Sequence, residues 1–101
     1  MSKEERLSLI QNMYEVGIPV RSMCVSALTK YSLGSGNAKL RERGMEILEK
    51  AIELADDLGI RIIMIPGYDV YYEESTSETQ KRFFDNLQRA AHMAAAYGVL
   101  I

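Results

Sequence analysis

Three times the chain passes from a charged helical stretch through a glycine into an apolar strand. The instances are Glu15-Val16-Gly17-Ile18-Pro19-Val20, Asp57-Leu58-Gly59-Ile60-Arg61-Ile62 and Ala96-Tyr97-Gly98-Val99-Leu100-Ile101. Gly17, Gly59 and Gly98 are 42 and 39 residues apart, the length of one strand–helix unit of a parallel sheet. No other feature restricts the fold as much. Parallel strands need long crossovers, and a crossover helix must pack back on the sheet with right-handed sense. The third strand runs only from Val99 to Ile101, so the sequence predicts a slice of a larger repeating β/α protein.

Local signals fill in that frame. Ser2-Lys3-Glu4-Glu5 has the pattern of a capping box, and behind it Leu7, Ile10, Met13 and Tyr14 share one helical face. Gly17 supplies the left-handed stop. Val20 to Val25 is predicted as a strand, with Pro19 at its start, where a missing amide costs little. Ser32 to Asn37 reads as a loop ending in an asparagine cap. A helix follows over residues 38–58, with Leu40, Gly44, Ile47, Leu48, Ala51, Leu54, Ala55 and Leu58 as its apolar stripe. Gly44 in that stripe predicts a close approach of helix to sheet.

Ile60 to Ile65 is the second predicted strand. It carries Ile60, Ile62 and Met64 on one face and Ile63 and Ile65 on the other, which predicts cover above and below. A third helix begins after Thr76, with Ser77 to Gln80 as a capping box. Its expected inward stripe is Phe84, Leu87, Ala91 and Ala94, with Phe83 and Ala90 at the edge. The order α-β-α-β-α-β in one unit, residues 1–101, leaves two architectures. A doubly wound open sheet puts helices on both faces; a closed (β/α)₈ barrel puts them all outside and needs about 250 residues. The chain reads as α/β with a parallel sheet of two to three βα units, both architectures staying open at this point; as a partial (β/α)₈ TIM barrel it would be less than half of one.

Charge and composition exclude several classes. Twelve Lys and Arg against 14 Asp and Glu leave a net charge of −2, without the basic face that nucleic acid requires. No apolar run approaches the roughly 18 residues that cross a bilayer. The lone cysteine, Cys24, reads as buried packing and agrees with a reducing, cytoplasmic setting.

In either architecture ligands bind at the carboxyl ends of the strands. Two loops leave those ends, Ser26 to Gly36 and Gly67 to Ser75. The second carries Tyr68, Asp69, Tyr71, Tyr72, Glu73 and Glu74, hydroxyls and carboxylates suited to a polyhydroxylated ligand. The alternative is that Tyr71 and Tyr72 pack on a neighbouring helix. Glu73 and Glu74 are read as charge caps of the helix that follows. In the first loop Ser26, Thr29, Lys30, Tyr31 and Ser35 offer polar groups, and Gly34-Ser35-Gly36 ahead of a helix resembles an anion cradle. Gly34 and Ser35 are thus candidate phosphate contacts, against the alternative of an ordinary serine-glycine loop. His92 stands alone on the third helix and reads as a surface residue. No catalytic set and no metal site can be assembled from these residues.

Ser22-Met23-Cys24-Val25-Ser26-Ala27, Leu33-Gly34-Ser35, Gly59-Ile60-Arg61 and above all Gly67-Tyr68-Asp69-Val70-Tyr71-Tyr72 carry a family resemblance. With Glu78-Thr79 and Arg82-Phe83 they resemble the L-ribulose-5-phosphate (L-xylulose-5-phosphate) 3-epimerases, some known by the older name hexulose-6-phosphate isomerase. Order and spacing agree from the first helix to Ile101. The resemblance implies a xylose isomerase-like TIM barrel much longer than this chain, of which residues 1–101 are an amino-proximal fragment. It also implies a sugar-phosphate substrate, epimerised at C3 through a metal-stabilised enediolate. Ser26, Gly67, Tyr68, Asp69 and Tyr71 would contribute to the sugar pocket.

The divalent metal of that family lies between two glutamates, an aspartate and a histidine on later strands. None has a counterpart here, and the first glutamate is expected just past Ile101. The 101 residues alone are therefore expected to bind no metal and to be inactive. Leu28 stands where relatives often have a histidine, two residues after the Ser26 position, which bears on substrate identity. A ketose–aldose isomerase and a non-catalytic α/β binding or assembly module are the alternative readings. Without the rest of a barrel, self-association is expected, as a homo-oligomer or a dimer exchanging strands or helices.

Overall fold

The computed structural model of the protein describes residues 1–101. Helix α1 spans Lys3–Val16, strand β1 Ser22–Cys24, helix α2 Ala38–Leu58, strand β2 Ile62–Met64 and helix α3 Ser77–Ala95. A 3₁₀ turn, Ser26–Thr29, follows β1. The expected capping box opens α1: Glu5 N–H donates to Ser2 Oγ at 3.1 Å and Ser2 N–H to Glu5 Oε1 at 3.2 Å. Those bonds from Ser2, backbone first, hold the Glu5 carboxyl below its ordinary value. Gly17, Gly59 and Gly98 all adopt left-handed φ, 75°, 74° and 69°. The repeated glycine is therefore a backbone requirement, since a side chain is strained in that region.

Strands β1 and β2 pair in parallel, Ser22 with Ile62, Met23 with Ile63 and Cys24 with Met64. Leu100 bridges in parallel to Ile62 on the other side of β2. Ile63 N–H donates to Leu100 O and Leu100 N–H to Arg61 O, each at 2.8 Å. The three extended segments thus lie side by side, pointing one way. Arg61 also reaches across to the carbonyls of Tyr97 and Gly98 and ties the start of the third segment down.

Helix α2 is the spine. Leu48, Ile52 and Ala55 are fully buried against Ile60, Ile63, Leu28, Leu33 and Val99. Removing each large apolar side chain from water contributes roughly 1.5–3 kcal/mol. Ile52 belongs to this core although the sequence stripe omits it. Gly44 permits a close approach, but to the loop after β1 rather than to the sheet: a Cβ there would lie 2.2 Å from the Tyr31 carbonyl oxygen.

Cover on β2 is one-sided in these 101 residues; the second covering layer that its apolar faces predict is the interior of a barrel. Ile63 is buried beneath the helices, whereas Ile62, Met64 and Leu100 are 47%, 51% and 70% exposed. Cys24, expected in the core, is exposed as well. Helices on one face and an open apolar face opposite are the wall of a barrel, not a doubly wound sheet. Helix α1 lies at the margin with no buried residue. Leu7 and Tyr14 of its expected face are exposed, and Ile10, Met13 and the Arg6–Asp57 ion pair hold it to the body.

Helix α3 differs from its sequence reading in two respects. Its cap is Thr76, whose hydroxyl and backbone exchange bonds with Thr79, one residue earlier than the predicted box. Its inward line runs through Thr79, Asn86, Ala90 and Ala94, while Phe84 and Ala91 are exposed. The rotation goes with a tertiary hydrogen bond. Asn86 Nδ2 donates to the Leu33 carbonyl at 2.8 Å, and a buried carbonyl left unpaired is expensive, so a polar residue occupies the inner face.

Candidate functional site

The loops leaving β1 and β2 run beside one another and are joined at three levels. Thr29 Oγ1 and the Tyr68 hydroxyl are 2.7 Å apart. Gly34 N–H donates to Asp69 O at 3.1 Å. Further along, the Glu73 carboxylate accepts from Ser35 Oγ and, at 2.9 Å, from Gly36 N–H. Gly34 is required by proximity: a Cβ would lie 2.5 Å from Thr79 O and 2.6 Å from Asp69 O. Ser35 is fully buried, its Oγ accepts from Asn37 N–H at 3.1 Å, and its carbonyl accepts from the Arg41 guanidinium.

Asp69 turns toward α3. Its carboxylate accepts from Thr79 Oγ1 at 2.6 Å and from Ser75 Oγ at 2.9 Å. The Thr79 hydroxyl is the main cause that holds this carboxyl below its ordinary value, with partial burial opposing and Ser75 and nearby backbone amides adding to it. Asp69 therefore fastens its loop to the start of α3. Val70, buried, is the apolar peg of the same loop.

Tyr68, Tyr71 and Tyr72 form a run of rings. Centroids are 5.3 Å apart for Tyr68–Tyr71 and 4.9 Å for the edge-on pair Tyr71–Tyr72. The rings pack on one another and stay open to solvent, Tyr72 most of all, so the alternative of packing on a helix does not describe them. Such rings present flat faces and hydroxyl tips at the sheet end where ligands bind in this architecture. Beside them Thr29, Lys30, Ser32, Asn37, Tyr72 and Glu73 edge a cavity of about 460 Å³.

The other predicted residues fall elsewhere. Gly67 is open, with nothing within 4 Å of a hypothetical Cβ. Ser26 is exposed and lines a separate cavity of about 550 Å³ with Met23, Cys24 and Ile47. The structure does not bring it to the tyrosines. The donors of the Gly34-Ser35-Gly36 cradle are already taken: Gly34 by the Asp69 carbonyl, Ser35 and Gly36 by Glu73. The chain's own carboxylate sits where the sequence reading places a phosphate, and Glu73 does not cap α3. Leu28 is buried in the core. Thr79 and Glu73 are the residues that sequence reasoning undervalued. The Thr76-x-x-Thr79 spacing could have revealed the first; nothing local reveals a bond to a residue 37 positions away.

No three His, Cys, Asp or Glu side chains converge where they could share a metal ion. Asp69 and Glu73 are each spent on hydroxyl and amide donors, so the residues present do not fit the ligand set that the resemblance implies. No helix is long and apolar enough to cross a membrane.

Comparison with known proteins agrees with this geometry. The profile of the xylose isomerase-like TIM barrel family matches residues 1–101. L-ribulose-5-phosphate 3-epimerase UlaE from Escherichia coli, in strain K12 / DH10B and in O157:H7 strain EC4115, is 47% identical over 94 residues. That match covers 93% of this chain and 33% of the relative, so the chain spans about a third of the length of the curated relatives it matches. The solved structure of an L-ribulose 3-epimerase superposes with TM-score 0.76 at 26% identity, over 91% of this chain and 32% of that one. D-psicose 3-epimerase in the presence of D-fructose superposes at 0.82 with 17% identity, over 98% and 36%, a likeness of fold.

Proposed function

This chain belongs to the xylose isomerase-like TIM barrel family, and from that premise we propose that it is part of a 3-epimerase interconverting L-ribulose 5-phosphate and L-xylulose 5-phosphate. The observation that carries the reading is the pair of joined loops at the carboxyl ends of β1 and β2, with Tyr68, Tyr71 and Tyr72 exposed on them. Aromatic faces and hydroxyls are what a sugar needs, apolar C–H surface on one side and hydrogen-bonding edges on the other. Tyr68 and Tyr71 are assigned the sugar, with Ser26 and the Gly67 backbone at the margin. Asp69, Gly34 and Ser35 are assigned the frame that holds the loops. A phosphate contact at Gly34 and Ser35 is not carried forward, because their donors are occupied.

Inverting C3 requires a base on one face of the carbon and an acid on the other. In this reading the 101 residues are assigned binding and orientation, and the proton-transferring groups and the cation are assigned to the remainder of a barrel. The chain alone is proposed to be inactive. A free, exposed Cys24 suits a reducing cytoplasm. The open face of β2 suits association with further protein.

The test is product analysis. The full-length protein carrying these residues is offered L-ribulose 5-phosphate with a divalent cation in D₂O. Formation of L-xylulose 5-phosphate with deuterium at C3 is expected. An aldose product would make it a ketose–aldose isomerase, and absence of turnover would favour a binding module.

A further inference from the structure

The run of tyrosines is a strap with two fastened ends. At one end the Tyr68 hydroxyl meets Thr29 Oγ1. At the other, immediately after the last ring, Glu73 closes on Ser35 Oγ and Gly36 N–H. Between these points Gly34 N–H holds the Asp69 carbonyl and Val70 is buried, while the rings of Tyr71 and Tyr72 pair edge-on and stand exposed. Exposed rings on an irregular loop depend on such fastenings for their placement.

The Glu73 end is built to hold. Both of its carboxylate oxygens are engaged, one by a hydroxyl and one by an amide, and hydrogen bonds to an ionised acceptor are about twice as strong as neutral ones. Its partner Ser35 is fully buried and is itself fixed by Asn37 N–H and the Arg41 guanidinium. The anchor is therefore tied to the start of α2, the best-packed element of the molecule. Asp69 anchors the same loop, but to α3, and its carboxylate reaches neither Ser35 nor Gly36.

We propose that Glu73 is a positioning residue for the sugar-facing Tyr68 and Tyr71: by clamping the β2 loop onto Ser35 Oγ and Gly36 N–H it sets the placement of the strap that carries them, without touching substrate itself. The inference rests on the epimerase reading for the identity of what the tyrosines face. A misplaced contact surface weakens ground-state and transition-state binding alike, so its kinetic mark is a raised KM at unchanged kcat.

The experiment compares Glu73→Ala, Ser35→Ala and Glu73→Gln in the full-length protein carrying these residues, by steady-state kinetics on L-ribulose 5-phosphate and by hydrogen exchange. Glu73→Ala is expected to raise KM roughly tenfold with kcat within about twofold, and Ser35→Ala to move KM the same way by a smaller factor. Glu73→Gln should recover most of the loss, because its amide oxygen still accepts from Gly36. Exchange at the Gly34 amide, which donates to the Asp69 carbonyl of the strap, and at the Gly36 amide should quicken in Glu73→Ala while residues 45–55 of α2 stay protected, which separates a loosened strap from a misfolded protein. An unchanged KM in Glu73→Ala, or a fall in kcat that Gln does not restore, would overturn the proposal. If the wild-type protein does not act on the sugar phosphate, the epimerase reading fails by itself. Exchange then still decides whether Glu73 holds the strap, and unaltered exchange in Glu73→Ala sinks the inference independently.

Discussion

Gly34 has the least freedom of any residue between the two loops. Its missing side chain lets the Asp69 and Thr79 carbonyl oxygens approach to within 2.6 and 2.5 Å of where a Cβ would stand. Both are backbone atoms and cannot swing aside. Gly34→Ala should therefore part the loops and lose the Gly34–Asp69 hydrogen bond, destabilising the protein by about 2–3 kcal/mol in chemical denaturation. Asp69 makes a pH prediction with a definite sign. Its folded pKa lies below the ordinary 3.8, with the Thr79 hydroxyl as leading cause. A depressed carboxyl contributes stability above its unfolded value and loses it as pH falls through the folded one. The stability gap between wild type and Asp69→Asn should be constant near neutrality and shrink as pH falls below about 4. Urea titrations at a series of pH values check this; a gap that widens in acid would contradict the assignment.

At the scale of elements, α3 is the informative case. Helical periodicity admits two overlapping stripes on it, and hydrophobicity favours the one through Phe84 and Ala91. Packing selects the other, because the Leu33 carbonyl takes a hydrogen bond from Asn86. Phe84→Ala should then be nearly neutral, within about 0.5 kcal/mol, as for a surface position. Asn86→Ala should cost about 1–3 kcal/mol by leaving a buried carbonyl unpaired. Thermal unfolding of the two variants compares them directly, and the reverse order would restore the hydrophobic stripe. Helix α2 shows the opposite situation. Its stripe is long and strongly periodic, its cap Asn37 and stop Gly59 are local signals, and its bounds in the structure are those expected from the sequence.

For the whole molecule, the decisive property is the bare side of the sheet. Ile62, Met64 and Leu100 face solvent, and β1 is an edge strand. Exposed apolar surface beside unpaired strand edges favours association, and each such side chain buried in a contact contributes roughly 1.5–3 kcal/mol. The 101-residue chain should sediment as a concentration-dependent oligomer at micromolar protein. Ile62→Lys with Met64→Lys should shift it toward monomer while the far-ultraviolet circular dichroism is retained. A monodisperse monomer for the unaltered chain would remove the prediction. The apolar residues on both faces of β2 are legible in the sequence, but sequence does not say which protein atoms cover them.

What the amino-acid order determined by itself is the local and periodic part. Three left-handed glycines, the Ser2–Glu5 box, the stripe of α2 and the repeat length depend on neighbours within a few residues, so they are written in short windows of sequence. From these came the parallel β/α frame, and from the Gly67–Tyr72 run came the family. Tertiary structure decided what depends on distant partners. Glu73 meets Gly36 across 37 positions and Asn86 meets Leu33 across 53, and those bonds turned an expected anion cradle into a clamp and rotated a helix. Hydrogen bonds between distant residues leave no periodic trace, because only the folded chain brings donor and acceptor to the same point.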